Sequence, residues 1–269
     1  MSRFIDMLKQ AIEGKAQRIG FGAALVQVKR RPLLLMAKLD GLNSQLASDV
    51  ANRGADAVVL PIRSAEERRA DANVCCTGDL DAVKAALGDT PWGALSPSFS
   101  SEDVEKLKEL GCDFVVFEAE KTPSALLEET IGKVLVVTPA ISDVMARMVD
   151  QLPVDAVLLK DYASTEPYVT VQQLMDFRRI MSLSRKPLII SVAEDYDTTG
   201  LRNLRDAGIG GIIFRVIDAD SAERLKSLHE AIQALPASRK RTVEREAPVL
   251  PQVGAGPAAF EEEEEEEEE

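Results

Sequence analysis

GADAVVLPI, residues 54–62, recurs with small changes as GCDFVVFEA from Gly111, PVDAVLLKD from Pro153 and GIGGIIFRV from Gly208. Each copy opens on a turn residue, and three of the four place Asp two positions later: Asp56, Asp113 and Asp155. A short β-branched apolar run follows. Glycine accepts the left-handed conformation just past a helix end. A brief, continuous apolar run is what a strand buried on both faces requires. The four copies are therefore expected to be strands, each entered from a helix.

A second phrase alternates with the first: RPLLLMAKL from Arg31, TPWGALSP from Thr90, GKVLVVTP from Gly132 and KPLIISVAE from Lys186. Three of these begin with Pro, which suits a first strand position. The step to the next copy of the first phrase is nearly constant. It is 22 residues from Pro32 to Gly54, 20 from Pro91 to Gly111, 20 from Lys133 to Pro153 and 21 from Pro187 to Gly208. Between the strands lie helical patterns: NSQLASDVANR, SEDVEKLKEL, SALLEETI, SDVMARMVDQL, VQQLMDFRRIM, TTGLRNLRDA and SAERLKSLHEAIQAL, several opened by Ser, Thr or Asn. Strand–helix alternation implies a parallel sheet. Eight units in about 200 residues predict an α/β fold, a closed (β/α)8 or TIM barrel. No G-x-G-x-x-G follows a strand, which argues against an open dinucleotide-binding sheet.

Three segments result. Residues 1–30 form a lead-in whose SRFIDMLKQAI reads as an amphipathic helix able to close the bottom of the barrel; RIGFGAALVQVKR receives no assignment. Residues 31–235 form the barrel. Residues 236–269 read as a disordered linker and acidic tail, rich in Pro, Ala, Gly and charge and ending in nine glutamates. Net charge is −13, but without those nine the remainder carries 36 acidic against 32 basic residues. Such a body gives no electrostatic reason to expect nucleic acid as a partner. The Glu run reads as a solubilising appendage or as a lure for a basic protein. No apolar run is long enough for a membrane, the first residues lack a signal-peptide core, and three cysteines make no disulfide framework. A cytoplasmic setting and a small-molecule substrate are expected, with a homo-oligomer left open.

In such barrels chemistry sits at the C-terminal ends of the strands. Aligning the four Gly-type copies puts Pro61, Glu118, Lys160 and Arg215 in one column. The Pro-type copies put Lys38, Pro97, Pro139 and Ala193 in theirs, with Glu194 next. Charges ending otherwise apolar strands are candidates for a site: Lys38, Glu118, Lys160, Arg215 and Glu194. The connection DYASTEPYVTV after the sixth strand is long and holds Asp161, Tyr162, Thr165, Glu166 and Tyr168. Long loops at this end carry function.

Four chemistries compete for these residues. A lysine desolvated by an apolar barrel is favoured as a free amine and can attack a carbonyl, with Glu118 or Tyr162 moving protons. VLLKDYAST, with Lys160 ending the sixth strand, resembles the class I aldolase barrels, which carry their lysine there. That resemblance implies a lyase with Lys160 as nucleophile; the family's second lysine on the seventh strand is absent, and Glu194 stands there instead. Lys38, Arg215, Glu194 and Asp161 then become substrate-binding candidates, and no cofactor is needed.

Phosphate binding after strands 7 and 8 is disfavoured, because those strands run into AEDYD and RVIDADS and glycines 208, 210 and 211 lie at the wrong end. Glu118 and Glu194 match strand positions used by barrel glycosidases, but the single Trp, Trp92, leaves no aromatic platform. Asp40, Glu118, Asp161, Glu194 and Asp195 offer hard oxygens for magnesium. Zinc is disfavoured, since the lone histidine, His229, reads as a surface residue of the last helix. Cys75, Cys76 and Cys112 read as structural, and Met145, Met148, Met175 and Met181 as core. A barrel without catalysis, binding partners through its tail, is the competing class.

Overall fold

The structure, a computed structural model, describes residues 2–13, 33–62, 77–160, 168–192 and 196–236. Eight parallel strands close into one barrel in sequence order. They are β1 (Leu34–Leu39), β2 (Ala57–Pro61), β3 (Trp92–Leu95), β4 (Phe114–Glu118), β5 (Gly132–Val137), β6 (Ala156–Leu159), β7 (Leu188–Val192) and β8 (Gly211–Val216). Among the described residues the helices are α1 (Arg3–Glu13), α2 (Ser44–Asn52), α3 (Thr77–Leu87), α4 (Ser101–Glu109), α5 (Asp143–Gln151), α6 (Val171–Leu183), α7 (Thr198–Ala207) and α8 (Ala219–Gln233). All eight expected strands are present. The expected helix at SALLEETI is instead a single 3₁₀ turn, Ser124–Glu128. Its opening Pro123 has no side chain with which to cap the turn, so an α-helix is poorly nucleated there. Residues 14–32, 63–76 and 237–269, including Cys75, Cys76 and the acidic tail, lie outside the described residues.

The repeated turn and Asp have physical roles. Gly54, Gly111 and Gly208 all adopt positive φ, as helix-terminating glycines do. Asp56 donates its backbone N–H to Leu35 O at 2.8 Å, and its carboxylate accepts the Leu35 N–H at 2.9 Å. Asp155 does the same with Lys133, at 2.8 and 3.0 Å. Each Asp thus pins the start of its strand to the strand before it. Asp113 keeps the backbone bond, to Trp92 O at 2.9 Å, but turns its carboxylate to α1. There it accepts from Ser2 Oγ and from the N–H groups of Arg3 and Phe4, all at 2.8 Å. A carboxylate at a helix N-terminus satisfies orphan donors and favours the macrodipole.

α1 closes the N-terminal end of the barrel, as its amphipathic pattern implied. Phe4, Ile5 and Leu8 are buried among Leu34, Met36, Phe114, Val134 and Ile213. The Phe4 and Phe114 ring centroids are 4.6 Å apart. Small residues make room: a Cβ on Gly93 would strike the Phe114 ring, and one on Gly210 would strike Ile12 and Leu8 of α1. The second, larger apolar cluster lies between strands and outer helices and includes Phe99, Phe177, Phe214, Leu201 and Leu225.

Two side-chain expectations are corrected. Met145, Met148 and Met175 are not core; they are 56%, 43% and 60% exposed on the outer faces of α5 and α6. Their helical spacing is real, but the buried stripe is carried by Ala146, Val149, Phe177 and Ile180. Met181 alone packs against the core. His229 is half-buried: its ring occupies the space where a Cβ of Gly54 would sit, and it meets Gln233 at 2.6 Å. Cys112 is buried, its thiol donating to Phe114 O at 3.2 Å, and burial pushes its pKa up to about 12. That is a structural cysteine, as expected.

Candidate functional site

Strand pairing places the mouth residues. Alternation along each strand sends Leu34, Met36 and Lys38 inward on β1, and Phe114, Val116 and Glu118 inward on β4. Alternate strands of such a barrel contribute four side chains to each interior layer. Following the register round the barrel, Pro61, Glu118, Lys160 and Arg215 form the outermost layer at the C-terminal mouth. The column read from the Gly-type copies is therefore one physical layer. The Pro-type column is corrected: Lys38 shares its layer, just beneath, with Leu95, Val136 and Ser191 rather than with Pro97, Pro139 and Ala193. Aligning on proline misleads because the strands do not begin at a constant distance from it. Below lie Val59, Val116, Leu158 and Ile213, an apolar floor.

The charges at this mouth pair in two groups. Lys160 Nζ lies 2.8 Å from Glu118 Oε1, and Lys121 Nζ lies 3.7 Å from Oε2. The hydrogen bond from Lys160, assisted by Lys121, holds the Glu118 carboxyl below the usual carboxylate range. Arg215 grips Asp40, with Nε 2.8 and 3.0 Å from its two oxygens and Nη2 2.5 Å from Oδ2. Arg215, and more weakly Lys38, lowers the Asp40 pKa. Both pairs meet water: the side chains of Lys160 and Arg215 are 52% and 62% exposed. The expectation of a desolvated Lys160 is thus corrected. The residue lies at the strand's very end, one step past the apolar floor. Lys38 and Arg215 are register partners on adjacent strands. Lys38 is half-buried.

Asp161, Tyr162, Thr165, Glu166, Glu194 and Asp195 lie outside the described residues; Tyr168 is described and exposed. Among the described residues no three metal-binding side chains gather. The two described members of the hard-oxygen set, Asp40 and Glu118, each face a cation. The loops after β7 and β8 end on helices capped by their own acids: Asp197 accepts from Gly200 N–H at 2.6 Å, and Asp218 accepts from Ser221 N–H at 2.8 Å. Lys121 and the Asp40–Arg215 pairing were not legible in the sequence. The first has only an i,i+3 spacing to Glu118 as a signal; the second joins residues 175 apart.

No protein-family model matches the chain, and no curated protein matches it in sequence. Solved structures do match. A mutant tryptophan synthase alpha-subunit from the hyperthermophile Pyrococcus furiosus is 16% identical, covering 76% of this chain and 99% of its own, with a TM-score of 0.54. Another mutant of that subunit reaches a TM-score of 0.55 at 14% identity. Phosphoribosyl anthranilate isomerase from Thermus thermophilus is 14% identical, covering 76% of this chain and 100% of its own, with a TM-score of 0.54. The fold is a TIM barrel. At these identities the likeness is one of fold alone. No helix among the described residues is long and apolar enough to cross a membrane.

Proposed function

We propose that the protein is a small-molecule enzyme of lyase or aldolase type, in which Lys160 reacts with a substrate carbonyl and Glu118 is its proton partner. The observation that carries this reading is the 2.8 Å contact between Lys160 Nζ and Glu118 Oε1 in the outermost layer of the mouth. A carboxylate at that distance stabilises the ammonium in the resting site. Reaction begins when the Lys160 proton passes to Glu118. The freed amine adds to the carbonyl carbon, a C–N bond forms, and the oxygen leaves as water after taking two protons, one from nitrogen and one from Glu118. The resulting iminium draws electrons from an adjacent C–C bond, which can then break. Tyr162 and the rest of the loop after β6 belong to this reading as groups beside Lys160 in sequence. Fold neighbours that are a synthase subunit and an isomerase support a barrel enzyme as the general class. No cofactor is required, and a reducing, cytoplasmic location suits three cysteines without a disulfide pattern. Reductive trapping of a carbonyl on Lys160, with Lys160→Ala as control, tests it.

A second reading has its own observation. The exposed mouth charges satisfy one another, as Lys160–Glu118 and Arg215–Asp40. A barrel used only as a scaffold has no need of an open site, and residues 236–269 would then hold a basic protein through their glutamates. Truncation at Pro236 separates the two: it abolishes partner capture under the scaffold reading and leaves carbonyl trapping intact under the enzymatic one.

A further inference from the structure

Of the nine large apolar side chains exposed among the described residues, six stand together on α5, just past its end and on α6: Val144, Met145, Met148, Leu152, Val171 and Met175. On α5 the cause is a missing neighbour. The helix is flanked by α6 on one side and by the β4–β5 connection on the other. Polar contacts fix the α6 side: Arg179 donates to Asp143 Oδ1 at 2.7 Å, and the Arg185 N–H donates to Asp150 Oδ1 at 2.7 Å. Helical geometry then sets Met145, Met148 and Leu152 on one stripe, roughly half a turn round from that edge. The stripe faces the β4–β5 connection, which is a single 3₁₀ turn instead of a helix. Among the described residues no helix covers it. Beside it lies a groove of about 190 Å³ lined by Phe117, Leu126, Leu135, Leu152 and Val154, so Leu152 belongs to both. The charged residues of α5, Asp143, Arg147 and Asp150, all fall on the α6 half of the helix and leave the stripe uncharged.

We infer that this face joins two copies of the chain about a two-fold axis, the methionine stripe of each copy seated in the groove of the other. An exposed apolar patch of more than a few hundred Å² marks an interaction surface. Interface centres are poor in charge and rich in methionine, as this stripe is. Two observations select a second copy as the occupant. The projecting stripe and the groove lie side by side on one chain, and a two-fold axis sets each against the other. The six side chains expose on the order of 600 Å², so two copies bury roughly 1,200 Å² from them alone, the lower edge of a standard stable interface. Methionine is unbranched and polarizable, which lets it fill an irregular groove.

The test is sedimentation equilibrium of the full chain at about 0.15 M salt, which screens its net charge of −13 beyond about 8 Å. Interfaces of standard size hold with micromolar or tighter dissociation constants, so at about 20 μM the wild type is expected as a dimer. Its mass is then twice the chain mass of 29.3 kDa. Met145→Glu and Met148→Glu each force a carboxylate into the apolar contact. Each should weaken association at least a hundredfold and leave a monomer. Ile217→Glu puts the same charge on an equally exposed residue past the end of β8 and should keep the dimer. Both methionines are exposed in the single chain, and an unchanged circular dichroism spectrum certifies that the variants fold. A wild-type monomer overturns the inference; if Met148→Glu also lowers its thermal stability, the groove is covered by the chain itself. A dimer that survives both methionine substitutions has its interface elsewhere and overturns the inference as well.

Discussion

Lys160 Nζ and Glu118 Oε1 meet at 2.8 Å although their strands, β6 and β4, are separated by β5. Barrel closure makes this contact, because the two residues share one four-membered interior layer. The pair is largely solvated, so its worth to stability is small, under about 1 kcal/mol. Glu118→Gln is therefore expected to leave thermal unfolding within a few degrees of wild type. It should slow carbonyl trapping on Lys160 by about a hundredfold, the range of a lost proton-transfer partner. Calorimetry and a timed trapping series check the two halves separately.

The Asp40–Arg215 pair gives a pH signature. Asp40 is held below its ordinary value of 3.8, chiefly by Arg215. A depressed folded-state pKa contributes stability that is fully present above the unfolded value and lost as pH falls through the folded one. The window is therefore below about pH 4. Both side chains are well exposed, so the contribution is under about 1 kcal/mol. Thermal unfolding of wild type and Arg215→Gln should differ by a small constant above pH 5 and converge as Asp40 protonates in both.

Asp56 should matter to the fold and not to the mouth. It is 7% exposed and clamps Leu35 through two hydrogen bonds at the start of β2. Asp56→Ala removes the carboxylate and leaves the buried Leu35 N–H without its acceptor. A loss of about 2–3 kcal/mol follows from a charge-assisted bond of this kind. Urea unfolding measures it.

The bottom plug sets a larger cost. Phe4 is fully buried against Phe114. Phe4→Ala opens a cavity in a close-packed interior and should cost about 3–5 kcal/mol. Gly93→Ala drives a methyl into the Phe114 ring and should cost about 1–3 kcal/mol by overpacking. Neither change touches the mouth, so carbonyl trapping on Lys160 at a temperature where both variants are folded should be unaltered.

The strand bodies were legible because a buried parallel strand must be continuously apolar, and because the Gly and Asp at their starts repeat with the alternate-strand layering. The column Pro61, Glu118, Lys160 and Arg215 was legible for the same reason. Lys38 was misplaced, since prolines do not mark a fixed distance to the barrel interior. The turn at Ser124–Glu128 was read as a helix because its apolar spacing fits one and only the missing cap speaks against it. The exposed methionines of α5 and α6 misled because periodicity shows that a stripe exists and not which side of the helix faces the strands. The grip of Arg215 on Asp40 joins β8 to the end of β1 and is visible only once the barrel closes.

Borohydride trapping of the full chain with pyruvate and a pool of small aldehydes and oxo acids, read by intact mass and peptide mapping, decides whether Lys160 is a reacting amine. A single adduct on Lys160, absent from Lys160→Ala, is the predicted result. A protein that stays free of adduct, or one whose surface lysines react alike in wild type and Lys160→Ala, would contradict it.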